Sequence, residues 1–278
     1  MRLGLWSRVS LRLWAFVLAV TLAAPSAGAQ GGQAVDLELA LLVDVSASVS
    51  DEEYHLQAAG IAASFRSPAV LEVIRSVARR GIAVSLIQWA DGANQRIAIG
   101  WTQLRNESDA LRLAARIESM PRLIYGGHTA LGSALAFALR ELESNDFVGL
   151  RRVIDLSGDG RTNDGRPLRS TRKEVIERGI TINGLAILNE LPLLDDYFRD
   201  YLIGGEGAFY MVAQDYSDFG QAMIEKLVRE IGSAPLSHDV TPTRWYETRA
   251  KSFPTAYARA PCDLHDGSEQ TYPQRTTP

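Results

Sequence analysis

Residues 41–50 read "LLVDVSASVS": an apolar run, one aspartate, then hydroxyls on alternate residues, Ser46, Ser48 and Ser50 after Asp44. A short apolar run closed by polar residues reads as a buried strand. The letters after it suit either an oxygen-rich loop or a turn and helix cap. Ser50 belongs to the second reading. In "SDEEY" it stands three residues before Glu53, the spacing of a capping box, and Asp51 and Glu52 fall in the first turn, where the helix dipole favours acids. Asp44, Ser46 and Ser48 are left for a site, provided that other polar loops meet them.

Outward from this stretch, apolar β-branched runs alternate with longer segments of helical spacing. "VDLELALLVD", "GIAVSLIQWA", "RRVIDLS", "GITINGLAIL" and "GAFYMVA" read as strands. Helices are expected over residues 51–66, 69–79, 106–119, 129–143, 167–178 and 215–231. Near-continuous hydrophobic strands separated by helices imply an α/β fold, a doubly wound and mostly parallel sheet with helices on both faces. "NQRIAIG", after the "DGAN" turn, alternates enough for one short antiparallel edge strand.

In such a sheet the loops at the carboxyl ends of the strands share one edge, and ligands settle where the strand order reverses. Three polar loops leave strands on that edge: Asp44 to Ser48; "YGGHTALGSAL", with a helix opening at Thr129; and "SGDGRTNDG". Together they offer Asp44, Ser46, Ser48, Thr129 and Asp159 as oxygen ligands. Hydroxyls and carboxylates without a thiolate suit a hard cation, Mg²⁺, Mn²⁺ or Ca²⁺.

The D-x-S-x-S of residues 44–48, the threonine of "GGHTALGSAL" and the aspartate of "LSGDG", in this order on an alternating α/β chain, resemble the von Willebrand factor type A (VWA) domain and its metal-ion-dependent adhesion site. The likeness covers roughly residues 35–232, and within the superfamily the pattern resembles a group of exported bacterial proteins of uncharacterised function. The resemblance implies that Ser46 and Ser48 bind the cation, Mg²⁺ foremost, through their hydroxyls. It implies that Thr129 joins when a ligand is engaged and that Asp44 and Asp159 act through bound waters. A protein partner's Asp or Glu would fill the open position, and the last helix, 215–231, often moves on binding. The sequence departs from the usual third loop, Thr-Asp-Gly straight after the strand, because Ser157-Gly158 precede Asp159-Gly160. Asp155 is the competing carboxylate, read as an acid held at the strand end by backbone amides.

The ends of the chain are different in character. Arg2, Arg8 and Arg12 precede the apolar stretch Leu13 to Ala24, and "APSAGAQ" offers small residues for a cut after Ala29, the layout of a secretory signal peptide. That stretch is far short of the roughly 20 residues of a spanning helix. The product is expected outside the cytoplasm, in the periplasm or medium, with no membrane span in the mature chain. From residue 30 the chain has 26 basic and 33 acidic residues, a formal charge of −7 that argues against nucleic acid as a partner. Cys262 is the sole cysteine, so neither an internal disulfide nor a cysteine metal cluster is available. From Ser233, six prolines interrupt any helix and the apolar residues lose their period, the composition of a largely irregular tail over 233–278.

Other chemistries find few of their groups. His128 is a lone histidine, read as a rim or packing residue and not as a zinc ligand. Counted from Asp159, "DGRTNDG" fails as a calcium loop, with Arg161 where an oxygen is needed and Asp164 where glycine should turn the chain; Asn163 and Asp164 read as turn formers. Tyr197, Phe198 and Tyr201 have helical spacing and read as core or lid packing. A phospho-accepting Asp44 would need a lysine at a later strand end, yet Lys173, Lys226 and Lys251, the only lysines, fall in helices or the tail. Gly-x-Ser-x-Gly and the nucleotide-binding glycine motifs are absent. The expectation is a cation-dependent protein binder and not an enzyme, with a metal-dependent hydrolase or a scaffold holding a structural cation as the alternatives.

Overall fold

The computed structural model describes residues 32–77 and 79–233; the expected signal peptide and the expected irregular tail, apart from Ser233, lie outside the described residues. Strand β1 (Gln33–Asp44) leads through the Asp44–Ser50 loop into helices α1 (Asp51–Arg66) and α2 (Pro68–Val77). A β-hairpin follows, β2 (Ile82–Trp89) and β3 (Gln95–Leu104), then α3 (Glu107–Glu118) and α4 (Leu131–Ser144). Three further strands, β4 (Phe147–Gly158), β5 (Thr181–Ile187) and β6 (Tyr210–Ala213), are separated by α5 (Leu168–Glu177) and by α6 (Leu194–Tyr197), which runs on into a π-helical turn at Phe198–Leu202. Helix α7 (Phe219–Gly232) closes the series.

The six strands lie in the order β3-β2-β1-β4-β5-β6, all parallel except β3, which runs antiparallel to β2 on the edge. This is the α/β sheet expected from the alternating runs. The edge strand is longer than "NQRIAIG" suggested, because "WTQL" keeps pairing with β2 as far as Leu104 opposite Ile82, across two register shifts. Strand β4 begins four residues before "RRVIDLS", since Gly149 interrupts the apolar pattern of a segment that pairs with β1 from Phe147 onward. Strand β5 joins β4 only from Val153, so among the described residues no strand lies beside Phe147–Arg152 on that flank, where Val148 and Leu150 are exposed.

Alternation along β1 sorts the two layers of the core. Leu37, Leu39, Leu41 and Val43 point into a cluster with Phe65 of α1, Ile74 of α2, Leu113 of α3 and Leu227 of α7. Ala40 and Leu42 point the other way, against Leu135 of α4, Val175 of α5 and Phe198. Each such leucine, removed from water, contributes roughly 1.5–3 kcal/mol. Two successive side chains thus face opposite helical layers, and β1 tolerates no polar residue across its middle except where a partner is supplied.

The chain leaves β1 toward β2 on one side and returns to β4 on the other, so the sheet reverses direction at the carboxyl ends of β1 and β4. That is the position at which open α/β sheets present their ligands. Among the described residues no helix is long and apolar enough to cross a membrane.

Candidate metal site

The first loop turns sharply at the end of β1. The Ser46 N–H donates to Asp44 Oδ1 at 2.8 Å, an Asx-type turn, while Val45 N–H donates to the Trp89 carbonyl at 3.0 Å. The Gln57 amide, from α1, donates to the Asp44 carbonyl at 3.0 Å. Arg122 fastens the loop from outside. Its guanidinium donates to the carbonyls of Val45 at 3.0 Å and Val49 at 2.9 Å and pairs with Asp51 at 2.8 Å. Ser50 caps α1 as expected, accepting from Glu53 N–H at 3.2 Å while its own N–H donates to Glu53 Oε2 at 2.8 Å.

The second loop is joined to the first where Ala47 N–H donates to the Gly127 carbonyl at 3.0 Å. Gly127 has φ of 104°, and a Cβ there would stand 2.7 Å from Asp91 Oδ2, so only glycine suits the position. Helix α4 begins at Leu131 and not at Thr129, and its cap position, Ala130, makes no side-chain cap bond. Thr129 is therefore no helix cap. Its backbone is gripped from the third loop instead: Thr129 N–H donates to Asn163 Oδ1, and Asn163 N–H returns to the Thr129 carbonyl, both at 2.9 Å.

The third loop brings Asp159 to Ser48, whose hydroxyl donates to Asp159 Oδ1 at 2.8 Å across 111 residues of chain. Ser46 Oγ lies 3.2 Å from Ser48 Oγ. Strand β4 runs on to Gly158, so Asp159 follows the strand directly, and glycine at 158 has a steric reason, because a Cβ at this position would meet Asp44 Oδ2 at 2.8 Å and the Trp89 ring at 3.3 Å. The absence of a side chain at 158 gives Asp44 its room. Gly160 rests against Thr129, where a Cβ would lie 3.2 Å from Oγ1.

Asp44, Ser46, Asp159 and Thr129 are buried and Ser48 is half-buried. Burial is the main reason that the Asp44 carboxyl is pushed up to about 7; the Asp159 charge adds to it, and the bonds from Ser46 oppose it. Burial also raises Asp159, against the hydrogen bonds of Ser48 and Tyr216. Tyr216, in the loop between β6 and α7, donates its hydroxyl to Asp159 Oδ2 at 2.9 Å. Burial, then the charges of Asp159 and Asp44, hold that phenol far above its ordinary range, so it stays a donor.

One oxygen of the two site carboxylates has no counterpart. Asp44 Oδ2 is buried with no hydrogen-bond partner, and a buried carboxylate oxygen in that condition calls for a proton or a cation. The neighbouring oxygens come from two serines, a threonine and a second carboxylate, a set that suits a hard divalent cation and offers no soft ligand. When bound, a cation would supply Lewis acidity to an oxygen ligand; the chain's own part would be to hold the hydroxyls in place.

Some candidates go elsewhere. His128 is exposed at the rim. Ser157 donates to the Leu42 carbonyl at 3.2 Å, inside the sheet. Asp155 is not held by backbone amides: it faces the opposite layer, in contact with Lys226 of α7 at 2.6 Å. Of the aromatic trio, Phe198 is core, Tyr197 is half-buried with the Arg161 guanidinium 5.4 Å from its ring, and Tyr201 is exposed. Sequence reasoning missed Tyr216, Arg122, Gln57 and the gripping role of Asn163. "QDYSDF" and "PRLIYGG" carry no pattern that sets them apart from ordinary loop residues; only Asn163, already a turn former, had a signal.

The strand order, the antiparallel edge and the two helical layers are those of a VWA domain. The chain belongs to the family described as "Protein of unknown function (DUF1194)", whose model matches residues 34–235. Among solved structures it resembles proximal thread matrix protein 1 from the mussel byssus, with a zinc-occupied MIDAS motif, at 15% identity and a TM-score of 0.51, over 71% of this chain and 48% of that one. It also resembles the pilus adhesin SpaC from Lactobacillus rhamnosus GG, at 12% identity and a TM-score of 0.51, over 70% of this chain and 30% of that one. A mutant of the minor pilin PilB from Streptococcus sanguinis matches at 13% identity and a TM-score of 0.50, over 71% of this chain and 62% of that one. The alignments thus span less than two thirds of these neighbours. No protein with a curated description matches the chain.

Proposed function

We propose that this chain is an exported binding protein that uses one divalent cation, Mg²⁺ foremost and Mn²⁺ or Ca²⁺ as alternatives, to recognise an acidic residue of a protein partner. Ser46, Ser48 and Thr129 would hold the cation through their hydroxyls, with Asp44 and Asp159 supporting it through water. The observation that carries this reading is the meeting of Ser48 and Asp159 beside a buried Asp44 whose Oδ2 is unpartnered. Mostly neutral ligands leave the cation electrophilic, and a carboxylate is the hard anionic ligand that a partner protein has to offer. The structural neighbours include a pilus adhesin and a minor pilin, in keeping with such a use.

The test has two parts. Calorimetric titration of the purified protein with Mg²⁺ or Mn²⁺ should show one site, absent in Asp44→Ala. Partners captured from the exported fraction with Mg²⁺ should be released by EDTA and missed by Asp44→Ala; partners that persist through both would overturn the metal-bridged reading. N-terminal sequencing should find Gln30 first, and an intact Met1 on a cytoplasmic product would reject export.

A further inference from the structure

On the face of the sheet that carries α7, a second cluster of charged groups is wholly enclosed. Lys226 and Glu230, one turn apart on α7, and Asp155 of β4 are all buried, with Lys226 and Glu230 at 0% exposure and Asp155 at 2%. Lys226 Nζ lies 2.6 Å from Asp155 Oδ1 and 2.7 Å from Glu230 Oε1. Asn183 of β5 donates to Glu230 Oε1 at 2.8 Å and accepts from Phe209 N–H at 2.8 Å, and the Phe209 ring covers Nζ at 5.0 Å. The contact with Asp155 is out of hydrogen-bond alignment, and both Asp155 oxygens and Glu230 Oε2 find no hydrogen-bond partner.

We propose that Lys226 and Asp155 react to form an amide bond between Nζ and Cγ, with Glu230 carrying the protons. Two carboxyls share one ammonium in an enclosed site, which is an expensive way to keep three ionisable groups. Burial pushes the Asp155 carboxyl up to about 7, with Lys226 pulling the other way, so the neutral acid, the electrophilic form, is accessible near neutral pH. The groups are fixed at contact distance, so the attack is intramolecular and unopposed by solvent.

The step balances. The Lys226 ammonium gives one proton to the Glu230 carboxylate, and the freed Nζ lone pair forms the N–C bond at Cγ of neutral Asp155. The Cγ–O bond to the hydroxyl then breaks. A proton from Nζ, relayed by Glu230, leaves with that hydroxyl as water. The products are one amide, one water and a neutral Glu230 free to donate to the amide carbonyl, and no oxidant or reductant is required. An ammonium and a carboxylate disappear from the interior, and release of water to solvent drives the exchange. The bond would fasten α7 to β4 behind the candidate metal site.

Peptide mapping of the full chain, purified, denatured and digested with trypsin, decides the matter. The expected product is residues 153–161 joined to residues 200–229, uncleaved at Lys226 and lighter than the sum of the two peptides by one water. Glu230→Gln should give the two peptides separately, with Lys226 open to trypsin. Complete cleavage at Lys226 in the wild type, together with an intact mass that shows no loss of water, would overturn the proposal and leave an ordinary buried ion cluster. A bond that still forms in Glu230→Gln would overturn the role given to Glu230. The wild-type result stands by itself should that variant fail to fold.

Discussion

Tyr216 donates its hydroxyl to Asp159 Oδ2 at 2.9 Å, so the residue that leads into α7 holds an oxygen of the candidate metal site. Asp159 Oδ1 is taken by Ser48, which leaves this acid with both oxygens engaged while Asp44 Oδ2 has none. Removing the phenol hydroxyl exposes the asymmetry. Tyr216→Phe strands a buried carboxylate oxygen and should lower metal-free stability by about 1–3 kcal/mol. Saturating cation should recover part of that loss, so the metal-induced rise in melting temperature should exceed that of the wild type. An equal rise in both proteins would show that Tyr216 and the cation do not compete for Asp159.

A cation bound only by the folded chain stabilises it by mass action. At ten times its dissociation constant, free Mg²⁺ or Mn²⁺ should add about 1.4 kcal/mol, read as a shift in thermal melting. Asp44→Ala and Asp159→Ala should abolish the shift. Ser50→Ala should keep it while losing roughly 1 kcal/mol through the broken capping box. Melting of Asp159→Ala that follows cation as the wild type does would refute a joint site.

The same acids set a pH dependence. In the folded chain Asp44 is raised from its ordinary value to about 7, so its contribution to stability is complete at acid pH and is lost as pH rises through about 4 to about 7. Asp155, also raised by burial to about 7, adds a slope of the same sign unless it has been consumed in an amide. Without metal, the wild type should therefore fall behind Asp44→Asn between about pH 4 and about pH 7. With Mg²⁺ the order should reverse toward high pH, because the cation needs the carboxylate form. Parallel melting curves for the two proteins across this range would contradict the shift.

Gly158 supplies a test that alters no ligand. Gly158→Ala places a methyl 2.8 Å from Asp44 Oδ2 and 3.3 Å from the Trp89 ring. Overpacking of this kind should cost about 1–3 kcal/mol, and the displaced Asp44 should weaken cation binding as measured by titration. Unchanged affinity would mean that Asp44 can move without loss.

What the sequence disclosed follows the distances over which its signals act. The strands, the switch point and the three loops announce themselves through local periodicity, and Asp44, Ser46, Ser48, Thr129 and Asp159 stand on those loops as expected. Ser50 and Glu53 were legible because a capping box spans three residues. Tyr216 was not, since its partner is 57 residues away and nothing near it marks a buried phenol. Lys226 was hidden for another reason. A lysine on an amphipathic helix reads as solvated, and only the placement of Asp155, on a strand 71 residues earlier, turns it inward. Thr129 misled the helix boundary because threonine serves well as a cap, and the bond from its backbone N–H to Asn163, which holds it outside the helix, is long-range.

The late start of β5 bears on how the protein behaves in company. Phe147–Arg152 present one flank without a neighbouring strand among the described residues, with Val148 and Leu150 at 56% and 57% exposure. A bare flank of this sort is a template on which a second polypeptide can lay a strand, the usual route to aggregation. Arg151 and Arg152 stand at its end, and Gly149 interrupts its apolar residues, so the chain carries charge and a weak β-former where an unbroken apolar segment would invite stacking. Neutralising Arg151 and Arg152 is therefore the change expected to favour pairing of this flank with a second polypeptide.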